Sequence, residues 1–250
     1  MKNYDLIIIG LGSAGLTLSI SMAKAGFKVL GIDKDARSIG GDCLNYGCVP
    51  SKALLTAARK AQTFRDAEKY GLTSAEPAVD WGRVKAHVHG VIEQIAPVDS
   101  QERFEGLGVT VIREPASFVD RKTVGSASTL VSAKRFVIAT GSRAFIPPIE
   151  GLAETPYLTN ETLFELDVLP EHLVVLGGGP IGIEMGQAFG RLGSRVTIVE
   201  MGEALPRAEP AHARIALERL RHEGVDLKEG YKAVSASPTG QGVRVSVGDK

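Results

Sequence analysis

Cys43 and Cys48 are the only two cysteines of the 250-residue chain, five positions apart in GDCLNYGCVPSK, beside Gly47 and just ahead of Pro50. Two thiols this close in sequence suggest thiol–disulfide exchange. A regular helix works against a bond between them, because five residues rise about 7.5 Å, beyond the roughly 7 Å Cα separation that a disulfide can bridge. A bonded pair therefore needs an irregular backbone. Gly47 permits one through its wide φ/ψ range, and Pro50 withholds an amide donor that a regular helix would use. Such a bond is strained, and strained exposed disulfides are the labile, catalytic kind. Two other readings fit the same residues. One is a buried pair of reduced cysteines. The other is a zinc site, disfavoured because structural zinc takes four ligands and no second cluster of cysteine or histidine is present. The five histidines, His87, His89, His172, His212 and His222, do not converge in sequence, and none is assigned to catalysis or to a metal.

The elements that must position these thiols come in two copies of one pattern. The apolar run YDLIII leads into Gly10, Gly12 and Gly15, an apolar helix runs to Gly26, and FKVLGID ends at Asp33. Further along, LVVLG leads into Gly177, Gly179 and Gly182, a helix runs to Gly193, and SRVTIVE ends at Glu200. Gly10 to Gly26 and Gly177 to Gly193 are both 16 residues, and Gly10 to Asp33 and Gly177 to Glu200 are both 23. A lone GxGxxG is weak, but a strand before it, a helix after it and an acidic residue closing the next strand give it the context of a dinucleotide-binding unit. The first glycine serves the tight turn, the second the close approach of a pyrophosphate, and the third the packing of helix on strand. Free amides and the helix macrodipole then favour the phosphates. Asp33 and Glu200 are each placed to accept from an adenosine ribose. A carboxylate at Glu200 repels a 2′-phosphate, which favours NAD(H) over NADP(H). Arg195 lies inside the strand, and Arg207 is the nearby cation that could blur this preference.

Between the copies, Pro50 to Lys69 and Asp80 to Phe104 read as helical, the latter interrupted at Pro97. VTVIREPASFVD, KTVGS, TLVSA and KRFVIATGS read as short strands. Arg143 to His172, with IPPIEG near its start, reads as the crossing into the second unit. After Glu200 a helix is expected from Pro210 to Glu223, followed by strands near Val225–Leu227, Lys232–Ser235 and Val243–Val247. The fold class is α/β, with two Rossmann-like dinucleotide-binding units, each having a parallel sheet, helices and a β-meander. The domains are expected at residues 1–147 and 148–250.

With 29 basic and 29 acidic residues the net charge is zero, so nothing marks a nucleic-acid or anionic-membrane surface. Two cysteines do not make a secreted disulfide scaffold, and a reducing cytoplasm is the expected compartment. Leu6 to Ala23 is apolar enough to imitate a signal peptide or membrane anchor, but its spaced glycines argue for strand, turn and helix.

Taken together, GGDCLNYGCVPSK, ATGSRAFIPPIEG and GGGPIGIEMG resemble the class I pyridine nucleotide-disulfide oxidoreductases over essentially the whole chain. That family includes dihydrolipoamide dehydrogenase, glutathione reductase and mercuric reductase. The resemblance implies FAD in the first unit and NAD(H) in the second. Cys43 is then the interchange thiol and Cys48 the thiolate against the flavin. Lys52 matches the lysine beside flavin N5, and Glu184 matches its carboxylate partner. Gly10, Gly12, Ser13, Ala14, Gly15, Asp33, Lys34, Gly41, Asp42, Cys43, Lys52, Ala116, Thr140, Gly141 and Ser142 fall on FAD-contact positions. Gly177, Gly179, Pro180, Ile181, Gly182 and Glu200 fall on NAD-contact positions.

The implied activity is an electron relay between NAD(H), FAD and a Cys43–Cys48 disulfide. Dihydrolipoamide dehydrogenase-like chemistry is favoured by Glu200 and the SKALL continuation, while Asp42 and Tyr46 depart from that pattern and keep a mercuric reductase-like or glutathione reductase-like enzyme open. A nucleotide-binding redox module without turnover is the other alternative. The implied partners are a small dithiol or disulfide, possibly carried on a lipoyl domain, and a second copy in a homodimer. Family members continue through a dimerisation domain bearing a His-Glu acid/base pair, so the resemblance implies an N-terminal portion.

Overall fold

The computed structural model describes residues 2–240 and 242–249. The first half runs β1 (Lys2–Ile9), α1 (Ser13–Lys24), β2 (Val29–Asp33), α2 (Gly41–Asn45), α3 (Cys48–Arg65), α4 (Trp81–Ile95), α5 (Gln101–Gly106), β3 (Thr110–Arg113), β4 (Ala116–Asp120), β5 (Thr123–Ser126) and β6 (Leu130–Ile138). The second runs α6 (Asn160–Leu163), β7 (His172–Leu176), α7 (Pro180–Leu192), β8 (Arg195–Glu200), α8 (Pro210–His222), β9 (Asp226–Glu229), β10 (Tyr231–Thr239) and β11 (Gly242–Asp249).

The chain divides into two compact units, Met1–Pro50 with His89–Ala144, and Ser51–Val88 with Phe145–Lys250. In the first unit a six-stranded sheet has the order β3-β2-β1-β6-β5-β4. β1 pairs in parallel with β2 on one side and β6 on the other, while β4, β5 and β6 form the antiparallel part. Both faces of β1 are buried. Leu6 and Ile8 pack with Leu11, Leu16, Val29 and Phe104, and Ile7 packs with Leu30, Ile32, Val124 and Val131. A strand covered on both faces reads as a continuous apolar run, and LIII is that run. Because the chain leaves β1 toward β2 and later returns as β6 on the opposite side, the carboxyl ends of these strands form a topological switch point, where α/β sheets bind ligands.

In the second unit β7, β8 and β9 form a parallel sheet in that order, and β10 pairs with β11 as an antiparallel hairpin. Helix α7 lays Ile183, Met185, Ala188, Phe189 and Leu192 into the interior with Val196, Ile198 and Leu220, all buried. The ring of Trp81 lies 5.5 Å from that of Phe189, and its indole N–H donates to the Leu166 carbonyl at 2.9 Å.

Several expectations need correction. The third helix starts at Cys48, not Pro50, and ends at Arg65, with a separate 3-10 turn over Ala67–Tyr70. Pro50 is its third residue, inside the first turn, where an amide has no partner within the helix and its absence costs nothing. TLVSA and KRFVIATGS are one strand, β6, because Ala133 between them is buried and pairs with Tyr4. The VTVI run joins the parallel sheet as β3 beside β2, which leaves β4, β5 and β6 as the meander. In the second unit, β9 belongs to the parallel sheet and a two-stranded hairpin stands where a meander was expected. Residues 51–88 group with the second unit. The physical reason lies in bonds such as that of Trp81 to Leu166 and that of the Lys85 ammonium to the Asp167 carboxylate at 2.9 Å.

Candidate active site

The first cradle lies at the carboxyl end of β1. Gly10 turns with φ +99°, and a Cβ there would stand 2.3 Å from the Ala139 carbonyl oxygen and 3.0 Å from the Thr140 Cα. The ATG turn that follows β6 is therefore packed onto the glycine loop, with Thr140, Gly141 and Ser142 exposed beside it. Gly15 lets α1 close on the loop, since a Cβ would meet the Gly10 oxygen at 1.8 Å. Gly12 is the N-cap of α1 and no side chain caps that end. The amides of the first turn, at exposed Ser13 and Ala14, are thus left without a side-chain acceptor.

Gly12 also approaches the segment that carries the cysteines. A Cβ on Gly41 would lie 2.6 Å from the Gly12 Cα, and Gly41 sits at φ +60°. Glycine at position 41 is what allows that contact of main chain on main chain. From Gly41 the short helix α2 carries Asp42 and Cys43, and its Asn45 amide donates to the Ile39 and Gly41 carbonyls at 3.3 and 3.0 Å. The helix stops at Tyr46, and Gly47 follows with room for no more than hydrogen, because a Cβ would be 2.8 Å from the Asp42 carbonyl oxygen. Helix α3 then begins with Cys48. The break foreseen between the two cysteines is therefore present. The two are not joined in a disulfide, and Cys43 is half-buried and Cys48 exposed. Cys48 occupies the first residue of an 18-residue helix, an end where the macrodipole favours negative charge on sulfur.

Asp33 does more than end β2. Its carboxylate accepts from the Leu11 amide at 2.6 Å and from the Lys34 amide at 2.7 Å, so it latches the glycine loop to the exit of its own strand. The second unit repeats the latch. Glu200 accepts from the Gly178 amide and from the Gly202 amide, both at 2.8 Å. A carboxylate has about four lone-pair sites, so each latch retains capacity for a ribose hydroxyl. Sequence spacing pointed to these two carboxylates, but their bonds to the loop amides were not legible from it.

The second cradle differs from the first in what surrounds it. Gly177 turns with φ +113°, and a Cβ on Gly182 would meet the Gly177 oxygen at 2.2 Å, which is the same helix-to-loop closure. A Cβ on Gly177 or Gly179 would meet nothing within 4 Å. That open space lies over the uncapped N-terminus of α7, where Pro180 is the first residue and Ile181 is 68% exposed. Both cradles thus offer glycine clearance and free helix-end amides, the features a dinucleotide pyrophosphate needs. The pyrophosphate of FAD or of a nicotinamide dinucleotide fits these residues. Ala116, one of the expected FAD-contact positions, is the first residue of β4, half-buried against the cluster of Ile7, Leu30 and Ile32. Arg207 is exposed beyond the Glu200 strand.

Within the second unit the Lys52 ammonium lies 3.2 Å from each oxygen of Glu184. Glu184 is the fifth residue of α7, past the first turn, where the helix-end dipole has little hold on a carboxylate. Lys52 is 65% exposed and Glu184 44%, and pairs so open to water contribute about 0–1 kcal/mol. Stability does not explain the pair; it orients a cation on the fourth residue after Cys48 in the same helix. Among the described residues no group of His, Cys, Asp and Glu has the geometry of a metal site. Of the histidines, His172 bonds Thr197 and Arg195, and burial together with the Arg195 charge holds its imidazole below the usual range. No helix among the described residues is long and apolar enough to cross a membrane. The apolar Leu6 to Ala23 stretch is β1, the glycine turn and α1.

Two glycine loops, each latched by a strand-end carboxylate, with the segment bearing Cys43 packed on the first, define a fold of the nucleotide-binding type. A family model described as pyridine nucleotide-disulphide oxidoreductase matches residues 4–250. A mercuric reductase of Lysinibacillus sphaericus is 35% identical over 246 residues, covering 98% of this chain and 45% of that protein. A dihydrolipoyl dehydrogenase of Thermus scotoductus is 36% identical over 248 residues, covering 98% of this chain and 52% of its own length. The HOCl-induced flavoprotein disulfide reductase RclA of Escherichia coli, solved as a Cu(II) complex, superposes with a TM-score of 0.83 at 29% identity over 97% of this chain and 52% of that one. The chain belongs to the pyridine nucleotide-disulphide oxidoreductases. It spans about half the length of the relatives it matches.

Proposed function

We propose that the chain supplies the nucleotide-binding and dithiol part of an FAD-dependent disulfide oxidoreductase that passes electrons between a small dithiol or disulfide, Cys43 and Cys48, FAD and NAD(H). The observation that carries this reading is the contact of Gly12 with Gly41, which sets the segment bearing Cys43 directly on the first nucleotide loop. In this reading residues 1–147 serve FAD and residues 148–250 serve NAD(H). The flavin, when bound, supplies reversible two-electron chemistry that thiols and nicotinamide do not share directly.

The remaining chemistry belongs to the chain. In the dithiol-oxidising direction, an external thiolate attacks the Cys43 sulfur of the oxidised pair, forms a mixed disulfide and releases Cys48 as the thiolate. The second external thiol displaces Cys43, which leaves as a thiol. The substrate has then lost two electrons and two protons. The Cys43–Cys48 bond then re-forms as the pair gives up these two electrons and the Cys43 proton; NAD⁺ takes the electrons with one proton as hydride, and the other proton goes to solvent. The position of Cys48 at the start of α3 favours the thiolate this scheme needs, and Lys52, held by Glu184, supplies a cation for negative charge that develops nearby. Asp33 and Glu200 keep the two loops in register for binding and add ribose acceptors. The Glu200 carboxylate also disfavours a 2′-phosphate, so NAD(H) is the expected nicotinamide.

Dihydrolipoamide is the preferred substrate in this reading, as a free dithiol or on a lipoyl domain, with a cytoplasmic homodimer as the working form. Mercuric reduction is the second reading, favoured by the mercuric reductase at 35% identity. The test is anaerobic addition of NADH to the full-length holoprotein, followed at long wavelength. A new absorbance band that is lost in Cys48→Ser supports the relay, and an unchanged spectrum in that variant defeats it. Turnover with dihydrolipoamide, glutathione disulfide and Hg²⁺ then separates the members.

A further inference from the structure

Glu223, the residue that caps the end of α8, has a side chain only 4% exposed, and no step of the proposed relay uses it. Its carboxylate is fully engaged. One oxygen accepts from the Arg191 Nη2 at 2.7 Å and from the Arg219 Nε, while the other accepts from the Arg191 Nε at 2.7 Å and from the Gln187 amide at 3.1 Å. Arg219 continues the chain of bonds by donating to Asp66 at 2.9 Å. Asp66 also accepts from Gln62 at 3.2 Å and from Lys69 at 2.8 Å. Arg65, the last residue of α3, donates to the carbonyl of Arg191 at 2.7 Å and pairs with Glu76. Three helices of the second unit therefore meet at one satisfied cluster: the end of α3, the end of α7 and the end of α8.

The same two helices, α3 and α7, touch again at the other end through Lys52 and Glu184. Thirteen residues separate Lys52 from Arg65, a span of about 20 Å along a helix. The two contacts differ in kind. Glu223 is shielded from water and held by three side chains, so displacing them leaves its charge buried without partners, whereas Arg219 and Asp66 are partly open to solvent. The Lys52 pair is open to solvent and yields readily. The stronger contact therefore sets the register that the weaker one follows.

We infer that the Glu223–Arg191–Arg219–Asp66 cluster is a positioning device that fixes the register of α3 on α7 and thereby aims the Lys52 ammonium at its working place. Its effect on the flavin rests on the proposed function; its effect on helix register does not. Arg219→Met is the primary variant, because it cuts the link from α8 to α3 while Glu223 keeps its two-pronged bond to Arg191. Glu223→Gln is the second.

Hydrogen exchange on flavin-free protein, with and without the substitution, tests register directly. Amides of residues 51–66 are expected to exchange at least tenfold faster in Arg219→Met while those of β1 and β6 are unchanged. On the full-length holoprotein, reduction by NADH is expected to slow roughly ten- to a hundredfold, the range produced by misplacing a positioned group by up to an ångström. The flavin absorbance is expected to shift in the direction given by Lys52→Met, and Arg219→Met adds little on top of Lys52→Met. Unchanged exchange over residues 51–66 in both variants overturns the inference. So does a lowered melting temperature with wild-type flavin absorbance and reduction rate, provided Lys52→Met alters them. If Lys52→Met itself leaves the flavin untouched, the flavin role of Lys52 fails, and the exchange result still decides the register claim.

Discussion

Gly12 and Gly15 stand three residues apart in one motif, yet the structure assigns them different work, and alanine at each position separates binding from folding. At Gly15 an added Cβ would lie 1.8 Å from the Gly10 carbonyl oxygen, more than an ångström inside contact, and both atoms are held by the packing of α1 on β1. Overpacking that backbone cannot absorb is expected to cost at least about 3 kcal/mol. At Gly12 the main chain has φ −79° and ψ −170°, open to any residue, and the added Cβ would stand 3.4 Å from the Gly41 Cα, close to ordinary contact. The remaining loss is that of glycine as an N-cap, about 1 kcal/mol, or roughly 2–4 °C in melting temperature for a domain of this size. The methyl would nevertheless project where the cradle must admit phosphate to the free amides of α1. Gly12→Ala should therefore fold almost normally and lose FAD affinity by tenfold or more, whereas Gly15→Ala should fail at the level of the fold. Urea denaturation of flavin-stripped protein gives the first quantity, and FAD titration by fluorescence quenching gives the second. Wild-type FAD affinity in Gly12→Ala, or equal destabilisation by the two substitutions, would refute the division of labour.

Other consequences can be measured independently. Glu200→Gln replaces one acceptor with a donor, so one of the Gly178 and Gly202 amides loses its partner. That exchange costs about 1–3 kcal/mol locally, should weaken NADH binding, and should narrow the preference for NADH over NADPH in isothermal titrations. Asp66 has its carboxyl held near pH 2, first by the Lys69 ammonium, with Arg219 and Gln62 adding to the shift against a smaller opposing effect of burial. A depressed folded-state value stabilises above the unfolded carboxyl pKa of about 3.9, and that contribution fades as the pH falls through about 2. The gap in urea midpoint between wild type and Asp66→Asn should therefore be full at pH 6 and shrink between pH 4 and pH 2, and a gap independent of pH would remove the electrostatic account.

Much of this was legible because glycine and charge leave marks at fixed spacing. The identical intervals from Gly10 to Asp33 and from Gly177 to Glu200 encode strand, turn, helix and strand in each copy, and the structure has those elements at those places. The cysteine segment was legible as an irregularity, since five residues of helix and a short covalent bridge are incompatible. What escaped were features set by contacts distant in sequence. Pro50 marked the wrong boundary because a proline in a first turn and a proline ahead of a helix look alike without the hydrogen-bond pattern. The fusion of two short runs into β6 depends on Tyr4 facing Ala133 from 129 residues away. The Glu223 cluster joins positions 66, 191, 219 and 223, each of which reads as part of an ordinary charged helix face; only the i, i+4 spacing of Arg219 and Glu223 hinted at a bond. The tie of Lys52 to Glu184 could be anticipated from the resemblance and from the need of Glu184 to turn away from phosphate, though not from spacing, because 132 residues separate them.

The two copies are not equally enclosed. β1 has β2 on one flank and β6 on the other, whereas β7, its counterpart, is paired with β8 alone among the described residues. The outer row of main-chain donors and acceptors on β7 has no strand partner among the described residues. The bare surroundings of Gly177, compared with the crowding of Gly10 by Ala139, arise at the same flank. Held by one ladder among the described residues where β1 is held by two, β7 is expected to lose amide protection before β1 in hydrogen exchange.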